Sequence, residues 1–263
     1  MLYSFSMCRL LGIAGTRPLP IQESLDAFYP LCATGCVKKG MEPGHTDGWG
    51  ISGFSAGRAV YYGRSEASAA QSETEYRAAA ALAQKSPSPI LVAHFRKASG
   101  SDRAIANTHP FHLQEWIFAH NGTIYGAAAS FPLESTEPQG ATDSERFFLW
   151  IYEQIHAEID PTRALVDLLK RTREALVYTS LNFLLSDGKR LWAYREFGDK
   201  RLEKGETVKD REDYYTLSFA TVPSGVIFCS EILPALSKKW TALPQRMLAV
   251  VTPLAPVPQL IKI

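Results

Sequence analysis

The 263-residue chain carries 28 basic and 27 acidic side chains, a net charge of +1 and 46% hydrophobic residues. That length can bury a large core in one sizeable domain, the charge balance offers no global attraction to nucleic acid or an anionic membrane, and no apolar run reaches the roughly 20 residues that span a bilayer. The four cysteines, Cys8, Cys32, Cys36 and Cys229, are too sparse for a disulfide scaffold at this size, so reduced thiols are expected.

The opening "MLYSFSM" has no basic n-region, no adequate apolar stretch and no small-residue cleavage site, which makes it a poor secretion signal and a cytoplasmic location the default expectation. "RLLGIAG" at 9–15 reads as a strand, and a helix is expected over 21–34. At its end "CATGC" pairs Cys32 with Cys36, but a zinc site needs about four placed ligands and no matching pair follows. "WGISGF" and "AVYYGR" read as further strands. Their glycines lack the spacing of a phosphate-binding loop. "ETEYRAAAALAQK" at 73–85 is rich in strong helix formers, and "PILVAHF" and "WIFAHNG" read as strands.

After a Pro, Ser and Gly loop at 130–141, the apolar period changes: Phe148, Ile151, Ile155 and Ile159 make one helical stripe. Thr142 and Glu145 match a capping box, which starts this helix at Thr142. A second helix over 162–175 follows Pro161. "LNFLLSDGKRLWAYRE" alternates around Asp187-Gly188, a tight-turn pair that marks a hairpin. "YYTLSFAT", "GVIFCSE" and "RMLAVVTP" complete a strand-rich C-terminal third. Strands, then two helices, then strands predict an α+β fold: two mainly antiparallel sheets with helices on their outer faces.

Five of the six histidines, His45, His94, His109, His112 and His120, fall between 45 and 120. Their spacing does not match the helical i, i+4 pairing of metalloproteases, and imidazoles beside strand ends commonly satisfy backbone groups. More informative is Cys8 together with polar groups elsewhere. Asn121-Gly122 ends an apolar strand, where a side-chain amide and a glycine N–H can aim two donors at one oxyanion; an ordinary Asn-Gly turn is the bland alternative. Arg96, just beyond a buried strand, can fork onto a carboxylate, with an exposed arginine at a strand end as the commoner alternative. Asp143, in the first turn of a helix, can hold an ammonium group or simply complement the helix dipole. Together these groups suit an α-amino acid bearing an amide.

The blocks "MCRLLGIAG" (7–15), "HTDGWGISGF" (45–54), "AHFRKASG" (from Ala93), "NTHPF" (107–111), "FAHNGTI" (118–124) and "TDSE" (142–145), in this order, resemble the class II glutamine amidotransferases, N-terminal-nucleophile hydrolases, and most closely their stand-alone single-domain branch. The resemblance implies a four-layer α/β/β/α sandwich that hydrolyses the side-chain amide of glutamine through a glutamyl thioester. On this mapping Cys8 is the nucleophile, Asn121 and Gly122 form the oxyanion hole, Arg96 grips the α-carboxylate, Asp143 binds the α-ammonium, Ser99 lies near the carboxylate, and Trp49 and Gly50 shape the pocket.

The resemblance also makes the α-amine of a chain-terminal Cys8 the catalytic base. An α-amine of pKa about 7.7 to 8.0 and a thiol of about 8.5 exchange a proton near neutral pH at little cost, whereas a peptide nitrogen cannot. Residues 1–7 are therefore expected to be a propeptide or a misassigned start, with residues 8–263 a single amidotransferase domain. No metal or organic cofactor and no fused synthase domain is expected, so ammonia would go to a separate acceptor enzyme or to solution. The alternatives are a γ-glutamyl hydrolase, a catalytically silent glutamine-binding subunit, and an N-terminal-cysteine amidase acting on acylated amines.

Overall fold

Strand β1 (Arg9–Gly15) is buried along its whole length, because it runs through the middle of a sheet that is covered on both faces; such a strand reads as a continuous apolar run. The structure, a computed structural model, describes residues 8–37, 41–98, 100–202 and 205–263; residues 1–7 and Ser99, which carry two of the expectations above, lie outside the described residues. After β1 come helices α1 (Ile21–Phe28) and α2 (Leu31–Thr34), strands β2 (Trp49–Ser55) and β3 (Arg58–Ser65), helix α3 (Glu73–Lys85) and strand β4 (Ile90–Phe95). The middle of the chain forms β5 (Phe111–Leu113), β6 (Trp116–Asn121), β7 (Ile124–Tyr125), α4 (Ala127–Ser130), α5 (Asp143–Ile155) and α6 (Pro161–Thr172). The last third gives β8 (Val177–Tyr178), β9 (Asn182–Ser186), β10 (Leu191–Arg195), α7 (Val208–Tyr214), β11 (Ser218–Val222), β12 (Gly225–Cys229), β13 (Thr241–Ala242), β14 (Met247–Thr252) and β15 (Ala255–Lys262).

Two antiparallel sheets hold the molecule together. The first has the order β13-β11-β12-β1-β4-β2-β3 and the second β15-β14-β10-β9-β6-β5. Between them lies an apolar layer of Leu10, Ala14, Val92 and Phe228 from the first sheet against Ala119, Leu184, Ala193 and Ala249 from the second. The pleat sends alternate β1 residues the other way, so Leu11 and Ile13 pack with Leu25 and Phe28 of α1 and Tyr76 and Ala80 of α3. On the far side Phe118, Phe183 and Trp192 meet Phe148 and Ile151 of α5 and Leu165 and Leu169 of α6. Three cores between four layers make the expected α/β/β/α sandwich. Among the described residues, no helix is long and apolar enough to cross a membrane.

Several expected elements differ in detail. The helix over 21–34 is two helices, broken at Tyr29-Pro30, where α1 ends and Pro30 caps the short α2. Thr142 does cap α5 by accepting from Glu145 N, but the Glu145 carboxylate turns back to accept from Gln139 and Gly140 N–H, so its hydrogen bonds serve the preceding loop rather than the second arm of a capping box. The apolar stripe stops at Ile155; Ile159 lies beyond the helix and is fully exposed. The next helix starts at Pro161, with Asp160 accepting from Thr162 and Arg163 N–H at 3.1 Å each, and ends at Thr172. In "YYTLSFAT" Tyr214 closes α7 and only Ser218–Val222 is extended. The hairpin around Asp187-Gly188 forms between β9 and β10.

Candidate active site

Antiparallel pairing brings the site together. Because β1 and β4 run in opposite directions with Arg9 opposite Phe95, the residue before β1, Cys8, must meet the residues after β4, Arg96 and Lys97. In the second sheet β6 pairs with β9 until Asn121 faces Asn182. His120, the residue before Asn121, lies under the first sheet, its carbonyl 3.3 Å from His94 Nε2 of β4. The N-terminus of α5 then arrives beside the same ends, where Asp143 accepts from Ile124 N–H just past the Asn121 turn. A small cavity of about 20 Å³ lies at this junction, and its lining includes Cys8, Arg96, His109, Gly122, Asp143 and Ser144. That volume suits one water-sized molecule and falls far below the roughly 300 Å³ lower end of small-molecule pockets.

Asn121 and Cys8 are bonded directly. Cys8 N–H donates to Asn121 Oδ1 at 3.1 Å, which orients the side-chain amide and leaves its Nδ2 donor buried with no protein partner. A buried donor without an acceptor costs about 1 to 3 kcal/mol, so this one is poised for an acceptor that the fold itself does not supply. Gly122 follows with its backbone against Ser180: a Cβ there would stand 2.0 Å from the Ser180 carbonyl oxygen, so only glycine lets the turn lie this close.

The Cys8 thiol is buried and donates to the Lys97 carbonyl at 3.8 Å. Burial pushes its pKa up to about 11, and the Lys97 backbone and the Arg96 and Arg9 charges pull it back only in part. A thiol in this state needs a base before it attacks anything.

Arg96 is held by the chain around it. Its Nη1 donates to the Asp47 carbonyl at 3.1 Å and its Nη2 to the carbonyl and Oγ of Ser101 at 3.2 and 2.7 Å, while the Asp47 carboxylate accepts from Ala98 N–H at 2.8 Å. Three of the five N–H groups of a guanidinium are thus spent on position. Asp143 is half-buried, and burial raises its carboxyl pKa to about 6, opposed by the Ile124 and Ser144 backbone N–H groups. It remains largely ionised at neutral pH.

Of the predicted residues, the structure brings Cys8, Arg96, Asn121, Gly122 and Asp143 together. Trp49 sits in the core instead, its indole N–H donating to Ser72 Oγ at 2.7 Å, and Gly50 lies in β2 opposite His94; neither lines the cavity. The hydroxyl found on Arg96 among the described residues is that of Ser101. Asp47, within the block "HTDGWG", and Ser101 carry no signal in the sequence, because a residue that only positions another leaves no chemical pattern. The histidines largely take the bland role: His45, His112 and His120 bond Leu31 O, Ser52 Oγ, and Ser144 Oγ with Ser180 O. No group of three or more His, Cys, Asp or Glu suited to a metal occurs among the described residues.

The family model of the class-II glutamine amidotransferases matches residues 7–208. An uncharacterized protein of Methanocaldococcus jannaschii is 32% identical over 201 residues, 74% of this chain and 52% of its own, so the chain spans about half the length of that relative. A protein of Escherichia coli K12 provisionally named glutamine amidotransferase YafJ is 31% identical over 204 residues, 72% of either chain. Among solved structures, a glutamine aminotransferase class-II domain protein from Silicibacter pomeroyi superposes with a TM-score of 0.60 at 20% identity, over 97% of this chain and 99% of that one. The glutamine phosphoribosylpyrophosphate amidotransferase of B. subtilis gives 0.66 at 13% identity, over 97% of this chain and 49% of its own. These two superpositions show the shared fold alone.

Proposed function

The chain belongs to the class II glutamine amidotransferases, and from that premise we propose that residues 8–263 form a catalytic domain that hydrolyses the side-chain amide of glutamine, with Cys8 as nucleophile. The observation that carries this reading is the Asn121 amide: its oxygen is taken by Cys8 N–H and its Nδ2 donor is buried without a partner, one residue before Gly122, which lines the cavity together with Cys8. Attack of the sulfur on the glutamine carbonyl would create an oxyanion for Nδ2 and the Gly122 N–H to receive. Arg96 would take the α-carboxylate with the N–H groups left over from positioning, and Asp143 the α-ammonium.

A proton must leave the thiol first. The base proposed is the α-amine of Cys8 once the peptide bond to Met7 is gone; it takes the thiol proton and returns it to departing ammonia. Water then cleaves the thioester and releases glutamate. The test is to incubate the protein with glutamine, γ-glutamyl peptides and acyl amino acids, measure ammonia, glutamate and amine, and determine the N-terminal residue of the active chain from its intact mass. Ammonia and glutamate from glutamine by a chain starting at Cys8 is the expected result. Preferential amine release from γ-glutamyl peptides would make it a γ-glutamyl hydrolase, and full activity in a chain that keeps Met1 would remove the amine from the mechanism.

Asp143 gives the reaction an acid limb. A carboxyl of pKa about 6 is charged above that pH and neutral below it, so its hold on an ammonium group is complete at neutral pH and lost as pH falls. KM for glutamine is expected to rise about tenfold per pH unit below about 6. Asp143→Asn should show a raised KM at neutral pH and no such limb; steady-state kinetics between about pH 4.5 and 8 decides it.

A further inference from the structure

His109 is the one member of the histidine group near the site whose two ring nitrogens are both buried without a hydrogen-bond partner. The residue is 4% exposed, and the ring packs between those of His94 and Phe111, with centroids 4.3 Å from each. The main chain at His109 is also tightly seated: a Cβ at Gly50 would stand 2.4 Å from the His109 carbonyl oxygen and 2.8 Å from Pro110 Cδ, so β2 needs glycine there for the His109-Pro110 segment to pass.

Burial beside His94, His120, Arg96 and Arg64 keeps this imidazole well below its ordinary pKa. It is therefore neutral, with one N–H and one open lone pair, in a cavity of about 20 Å³ that Cys8 and Gly122 also line. A fold that encloses an imidazole without satisfying it loses about 1 to 3 kcal/mol, unless something in the cavity bonds it. The cavity has room for a molecule the size of water.

Resting on the glutamine reading above, we infer that His109 is a further catalytic residue: its ring lone pair accepts a hydrogen bond from the water that hydrolyses the Cys8 thioester and aims that water at the carbonyl carbon. The water oxygen forms the new C–O bond as the C–S bond breaks. One water proton passes to the Cys8 α-amine and on to the departing sulfur, and the other stays on the γ-carboxyl of the product until it ionises. His109 orients and does not itself take the proton, which suits a ring of such low basicity. Acylation, in which the nucleophile is the sulfur, does not need it.

The experiment is a single-turnover comparison of wild type, His109→Ala and His109→Gln with glutamine, following ammonia, glutamate and the mass of the Cys8 adduct. His109→Ala should release one ammonia per chain at close to the wild-type rate, then accumulate glutamyl-Cys8 and release glutamate about 10²-fold more slowly, the cost of a misplaced reactant. His109→Gln, which restores an acceptor, should recover part of that loss, and hydroxylamine, a nucleophile that needs no orienting, should discharge the accumulated adduct as the hydroxamate. If ammonia and glutamate release fall together in His109→Ala with no adduct, the inference is overturned while the glutamine reading stands. If wild type forms no Cys8 adduct and no glutamate, the reading itself fails and takes this inference with it.

Discussion

Cys8→Ala should release no measurable ammonia from glutamine, a fall on the order of 10⁴-fold or more in kcat, as expected when a covalent nucleophile is removed. The same variant should still bind glutamine with a dissociation constant within about threefold of wild type, because Arg96 and Asp143 are untouched and hold the ends of the substrate that do not react. Ammonia release at the wild-type rate would place the nucleophile elsewhere. Binding without turnover in both wild type and variant would instead describe a silent glutamine-binding subunit.

The thiol itself offers an independent reading of the same residue. With its pKa pushed up to about 11, Cys8 in a chain that retains residues 1–7 has about one thiolate in 10⁴ at pH 7. Its alkylation by iodoacetamide should accelerate about tenfold per pH unit up to that value. A chain beginning at Cys8 should react faster at neutral pH, since a protonated amine beside the sulfur favours the thiolate. Cys32 and Cys229 are buried and Cys36 is exposed, so the label must be located by peptide mapping.

What the sequence revealed best was what chemistry and periodicity both mark. The span of β1 is legible because seven consecutive residues are buried on both faces, and that of α3 because Glu73–Lys85 is built from strong helix formers. Arg96, Asn121 and Asp143 are legible because a cation, an amide and an anion each follow or precede an apolar run. Cys8 and Arg96 meet because they flank β1 and β4 in antiparallel register, whereas Asn121 at the end of a strand of the second sheet and Asp143 at the start of α5 reach them only through the stacking of layers, which no pattern in the sequence shows. Strand β15 is not legible, since Pro256 and Pro258 each lack an N–H for a ladder; it stands as an edge, pairing with β14 on one side only, where a missing N–H can face away from the ladder. Ile159 was misplaced because the helical spacing continues past the point at which Asp160 and Pro161 begin a new helix. His109 was grouped with histidines that satisfy backbone groups. Its distinction lies in bonds it does not make, and that is visible only when the neighbours are in place.

Asn121→Ala should cost about 10² to 10³ in kcat, roughly 2.7 to 4 kcal/mol, with little change in KM, since a donor aimed at an oxyanion acts only once the carbonyl has become tetrahedral. The substitution also removes the acceptor of Cys8 N–H, so a second variant separates the two roles. Asn121→Asp keeps an oxygen for Cys8 N–H but replaces the Nδ2 donor with negative charge facing the developing oxyanion; it should lose at least as much as alanine while holding Cys8 in place, as a crystal structure of the variant with the contact from Cys8 N to the new carboxylate oxygen intact would report. Gly122 completes the pair through its backbone, and Gly122→Ala forces a Cβ against the Ser180 carbonyl, so it should lose activity through displacement of the turn. Were Asn121→Ala instead to raise KM and spare kcat, the buried Nδ2 would be holding the ground-state amide, and stabilisation of the tetrahedral oxyanion would have to come from the Gly122 N–H alone.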